Sequence, residues 1–109
     1  MESTKIFCGN VFIHSENLKE SCAKNPIKLM YYKVKSRNSY VSENYETYGV
    51  EIVKNEYKND NVYTESVCID SITQNEFKLD QLIEMLKNNS VTPITLNDVI
   101  NDLNYNNEL

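Results

Sequence analysis

Apolar and polar residues alternate with a period of two through the middle of this chain, then change to a period near 3.6 in its last third. Leu29 to Lys35 alternates well. Met30, Tyr32 and Val34 share one face; Leu29, Tyr31, Lys33 and Lys35 share the other, which turns from apolar to cationic along its length. This predicts a strand with its more apolar Met30–Tyr32–Val34 face inward. Tyr48 to Tyr57 predicts a second strand, with Tyr48, Val50 and Ile52 facing one way and Glu51 and Val53 the other. Val62 to Ile69 predicts a third, joined to the second by Lys58-Asn59-Asp60-Asn61, whose residue types tolerate left-handed backbone. The two runs form an antiparallel hairpin.

The ends of the chain extend this pattern. Ile6 to Ile13 is apolar with Gly9-Asn10 inside it, either one bulged strand or a tight hairpin. Ser15 to Lys24 carries a weak helical signal that Asn25-Pro26 terminates. Ser36 to Glu46 is polar and reads as a long hairpin loop. Thr73 and Glu76 match a capping box, and Phe77, Leu79, Leu82, Ile83, Met85 and Leu86 form one broad apolar helix face. Asn88-Asn89-Ser90 ends that helix, with Asn in the place Gly often takes. Pro93 interrupts the chain, Thr95 and Asp98 form a second cap, and Leu96, Val99, Ile100 and Leu103 follow at one-face spacing. Residues 104–109 are a frayed tail.

An antiparallel sheet with one apolar face needs a cover, and two consecutive amphipathic helices supply it. The expected fold is α+β in two layers: three to five antiparallel strands covered by two C-terminal helices. The 109 residues fit one domain, with residues 1–25 as an extension. No apolar run reaches the length of a membrane span, and no signal segment opens the chain. Cys8, Cys22 and Cys68 form an odd set without C-x-x-C spacing, so they read as reduced thiols in a cytoplasm.

Charge adds an asymmetry. Residues 1–59 hold nine Lys/Arg against seven Asp/Glu, whereas residues 60–109 hold two against nine. An acidic helix face in solvent accounts for this imbalance. Residues suited to catalysis or metal binding are few. His14 is the only histidine and reads as a strand-end surface residue. Its spacing to Cys8 and Cys22 matches no zinc site. Asp98 and Asp102 fall on a polar helix flank, and Asp60 and Asp70 in turns. No P-loop, dinucleotide fingerprint or calcium loop occurs. No catalytic residue, metal or cofactor is therefore expected.

Binding is the remaining class of function. Lys24, Lys28, Lys33, Lys35 and Arg37 lie among Tyr31, Tyr32 and Tyr40. Such a mixture can track a nucleic-acid backbone and stack bases. It also suits an edge strand that must stay soluble, and the acidic overall balance disfavours a dedicated nucleic-acid domain. The expected interaction surface is Lys28, Tyr31, Lys33, Lys35, Arg37 and Tyr40. The leading expectation is a regulatory or adaptor protein that binds a protein partner. A DNA-associated accessory factor is the alternative, and a strand edge could pair two copies into a homodimer.

Four segments carry a resemblance. They are Tyr48-Gly49-Val50-Glu51-Ile52-Val53, the return strand around Glu65, Leu82-Ile83-Glu84-Met85-Leu86, and Val91-Thr92-Pro93-Ile94 with Leu96, Asp98, Val99, Ile100 and Asp102. Over roughly residues 28–103 the chain resembles a family of small uncharacterised proteins from spore-forming clostridia, with residues 1–25 outside the match. The resemblance implies a low-GC Gram-positive host and a role in sporulation or in a mobile element. It assigns no catalytic residues.

Overall fold

The computed structural model describes residues 2–13, 25–38 and 45–106. Four strands precede two helices: β1 (Glu2–Ile13), β2 (Ile27–Asn38), β3 (Tyr45–Lys58), β4 (Asn61–Thr73), α1 (Glu76–Asn88) and α2 (Pro93–Tyr105). The strands form one antiparallel sheet in the order β1-β2-β3-β4, and both helices pack on one face. This is the expected two-layer α+β arrangement.

The first segment is a single bulged strand along β2, not a hairpin. Its register slips between Phe7 and Gly9, where Gly9 takes a φ of 135° that L side chains rarely adopt. The weak helical signal over Ser15 to Lys24 lies outside the described residues. The polar Ser36 to Glu46 stretch is shorter as a loop than its composition implied. β2 continues to Asn38 and β3 begins at Tyr45, because Arg37 and Glu46 pair in register and join by an ion pair of 3.0 Å. Asn59 and Asp60 both adopt positive φ in the β3–β4 turn, as a two-residue hairpin of type I′ requires.

One face of β2 runs opposite to expectation. Leu29 and Tyr31 are fully buried under the helices, while Met30 and Tyr32 point to the outer side. The sequence placed Met30, Tyr32 and Val34 inward because Lys33 and Lys35 weakened the other face. Acidic side chains of other elements answer those two lysines, which removes the objection to burying their face. Val34 is buried too, but on the outer side opposite Gly49. There β4 places Asp70, Ser71 and Ile72 opposite Gly49 alone, with Ser71 at a φ of 53°. A Cβ on Gly49 would stand 2.2 Å from the Ile69 carbonyl oxygen, so only glycine lets the bulge close.

The core joins Leu29, Tyr31, Tyr48, Val50 and Ile52 of the sheet to Leu79, Leu82, Ile83 and Leu86 of α1 and to Leu96 and Ile100 of α2. Three helix details depart from the sequence expectation. Asn75, not Thr73, caps α1: its side chain accepts from the Lys78 N–H at 3.1 Å, while Thr73 is still in the sheet and accepts from the Asn75 N–H. Phe77 lies on the far side of α1, 69 % exposed, because the buried stripe is set by Leu79, Leu82 and Leu86. α2 starts at Pro93 itself, in the first helical position after Thr92, so Thr95 and Asp98 are inside the helix and do not start it.

The junction between the helices is a Schellman turn. Val91 N–H bonds the Leu86 carbonyl and Ser90 N–H the Lys87 carbonyl, with Ser90 rather than an Asn in the left-handed position at φ 49°. Val99 and Leu103 are half-buried against the core, and α2 remains helical through Tyr105, two residues into the expected tail. No helix among the described residues is long and apolar enough to cross a membrane.

Candidate interaction surface

The alternation of a strand divides the side chains of this sheet between a covered face and an outer one. On the outer face, Phe7 of β1 stands opposite Tyr32 of β2, and their rings meet edge to face at 5.5 Å. Farther along, Phe12 and Tyr57 stack nearly parallel at 6.4 Å. Both arrangements suit aromatic quadrupoles. Phe7 and Phe12 nevertheless remain 54 % and 47 % exposed, since no helix covers this side. Lys28 is the register partner of Phe12 and lies on the same face. The Tyr32 hydroxyl points to the Met30 sulfur at 3.8 Å.

An ion pair joins β1 to β3 on this face. Lys5 pairs with Glu51 at 3.0 Å, and that carboxylate raises the lysine pKa. Cys68 is the register partner of Glu51. Burial, with Glu51 adding to it, pushes the Cys68 thiol above its usual value, so the thiolate needed of a nucleophile is disfavoured. Ser36 is buried on the same side, and its hydroxyl has no hydrogen-bond partner among the described residues.

The cationic cluster read from the sequence does not assemble. Tyr31 is fully buried and donates its hydroxyl to the Val91 carbonyl at 2.8 Å; burial pushes its pKa up to about 12. Lys33 lies on the helix side and reaches Glu76 at 2.7 Å and Asp80 at 3.0 Å in α1, and the bond to Glu76 raises its pKa. Lys35 and Arg37 converge on Glu46 at 3.2 and 3.0 Å, beside a cleft of about 300 Å³ lined with Thr4 and Ile6. Tyr48 also donates to Glu46. The Arg37 hydrogen bond, followed by those from Lys35 and Tyr48, holds the Glu46 carboxyl below the usual range. Lys28 is on the opposite face from these groups. Tyr40, Lys24 and His14 lie outside the described residues.

The acids that neutralise this strand escaped sequence reading because they come from elsewhere in the chain. Glu46 is set by the β2–β3 register. Glu76 and Asp80 are spaced i, i+4 at the start of α1, one signal that could have marked them as a pair facing a common cation. Glu84 and Lys87, spaced i, i+3 on α1, pair at 3.0 Å. Asp98 and Asp102 are exposed on α2 as expected. No group of three or more His, Cys, Asp or Glu side chains among the described residues is placed to hold a metal ion.

A family model matches residues 10–105, most of the chain. The chain belongs to DUF6514, a family of unknown function. The DUF6514 match covers part of β1 and all of β2, β3, β4, α1 and α2. It is wider than the 28–103 resemblance and takes in residues 10–25. No curated protein and no solved structure matches the chain.

Proposed function

We propose that this DUF6514 protein is a non-enzymatic, cytoplasmic regulatory or adaptor protein that binds a protein partner through the outer face of its sheet. The observation that carries the reading is the pair of exposed aromatic contacts, Phe7–Tyr32 and Phe12–Tyr57, on the face opposite the helices. Exposed contiguous apolar groups mark interaction sites, and aromatic side chains supply most of the binding energy at interface centres. The free thiols of Cys8 and Cys68 agree with a reducing compartment. The resemblance to clostridial proteins favours a partner in sporulation or in a mobile element.

A second reading keeps the same face and changes the partner. Lys28 beside Phe12 and Tyr57 resembles the cation-and-ring grouping that stacks bases of a single strand. A DNA-associated accessory factor would use it. Replacing Phe7, Phe12 and Tyr57 together with Ser tests the common site, and nuclease treatment separates the two partners. A partner retained by the unaltered protein after nuclease and lost by the triple variant supports protein binding. Retention by the triple variant overturns both.

A further inference from the structure

The helices leave one corner of their own side of the sheet open. α1 begins over Lys33, which Glu76 and Asp80 hold, and runs toward Cys8, where the Lys87 ammonium donates to the Cys8 carbonyl. β1 and β2 continue the other way. Thr4, Lys35 and Tyr48 stand in register across β1, β2 and β3, and Arg37 pairs with Glu46 one row farther on. Side-chain exposure along β2 rises from 12 % at Lys33 to 40 % at Lys35 and 57 % at Arg37. The cleft of about 300 Å³ opens at this corner, lined among the described residues by Thr4, Ile6, Lys35, Arg37 and Glu46. Its volume is at the lower limit for small-molecule pockets.

Donors and acceptors in the cleft are unequal. The Glu46 acceptors are spent: Arg37 donates to one carboxylate oxygen, and Lys35 and Tyr48 approach the other. An ammonium carries three N–H donors, and Glu46 takes one of those of Lys35. Among the described residues the other two have no acceptor, and the Thr4 hydroxyl has no partner. The acids of the first turns of α1 are taken by Lys33. Donors therefore remain and acceptors do not, which selects an anion over a cation. Two cations against one carboxylate in the lining match a single negative charge better than the two of a phosphate. Ile6, 40 % exposed, supplies a wall with nothing to hydrogen-bond. We infer that this cleft binds a small monocarboxylate with a short aliphatic chain, its oxygens on Lys35 and Thr4 and its chain on Ile6. Glu46 is the positioning residue, since it holds the two like charges of β2 side by side. The cleft is on the opposite face from the aromatic pairs, so it stands independently of the protein-binding reading.

Titration of the full, isotope-labelled chain with isovalerate, followed by amide chemical shifts, tests this. Saturable shifts are expected at residues 4–6, 35–37 and 46, none with the uncharged isovaleramide, and weaker binding of acetate and of inorganic phosphate. Lys35→Gln should weaken isovalerate roughly 10-fold, as loss of a charge-assisted hydrogen bond does. Ile6→Ser should weaken isovalerate roughly 5-fold and leave acetate unchanged. Lys28→Gln, on the other face, should change nothing. Circular dichroism checks that each variant is folded. Shifts that do not saturate, equal shifts with isovaleramide, phosphate bound more tightly than isovalerate, or full affinity in folded Lys35→Gln would each overturn the proposal.

Discussion

The Tyr31 hydroxyl donates to the Val91 carbonyl at 2.8 Å, joining the middle of the sheet to the turn between the helices across sixty positions of sequence. Val91 N–H is bonded to Leu86 at the same turn, so both polar groups of this buried residue are matched. Tyr31→Phe keeps the ring and orphans the carbonyl. The expected loss is about 1–2 kcal/mol, a fall in midpoint of roughly 4–8 °C per kcal/mol, measured by thermal unfolding.

The same residue predicts an alkaline transition. Its folded pKa of about 12 exceeds the ordinary 10.0, so the folded state holds its proton more tightly than the unfolded state. That contribution is complete below pH 10 and is lost as pH rises toward about 12. Denaturant titrations across this window should show a shallower decline in Tyr31→Phe than in the parent. Tyr48 and Cys68, also shifted upward, leave a residual slope.

Gly49→Ala tests the bulge. The added methyl would stand 2.2 Å from the Ile69 oxygen and 2.5 Å from the Asp70 Cα, both backbone atoms that cannot rotate away. A destabilisation of about 3 kcal/mol is expected, at the upper end for overpacking. Chemical denaturation reads it directly.

Lys33→Met separates charge from packing. The side chain is only 12 % exposed, yet its partners Glu76 and Asp80 are 45 % and 53 % exposed and turn to water when released. The cost should be about 1 kcal/mol and should shrink in high salt. A double cycle with Glu76→Gln isolates the pair.

Most of the scaffold was legible because each element carried its own periodic signal. Tyr48, Val50 and Ile52 announced the buried face of β3, and Leu79, Leu82 and Leu86 that of α1. What failed depended on partners distant in sequence. The face of β2 was misread because Glu46, Glu76 and Asp80 compensate its cations only after folding. Tyr31 looked like a binding residue because nothing local reveals a carbonyl waiting at Val91. Phe77 was counted inward because a broad apolar face was drawn where the helix buries a narrow stripe. The outer aromatic pairs require the β1–β2 register, and a bulge at Cys8 inside that strand decides which ring meets which.

The most direct measurement places a photo-crosslinking residue at Thr64, exposed on the outer face, in the full chain within its host, with and without the Phe7, Phe12 and Tyr57 to Ser replacements. The account predicts a defined protein cross-linked in the parent, resistant to nuclease and lost in the triple variant while circular dichroism stays unchanged. The same protein cross-linked equally by the folded triple variant would contradict it.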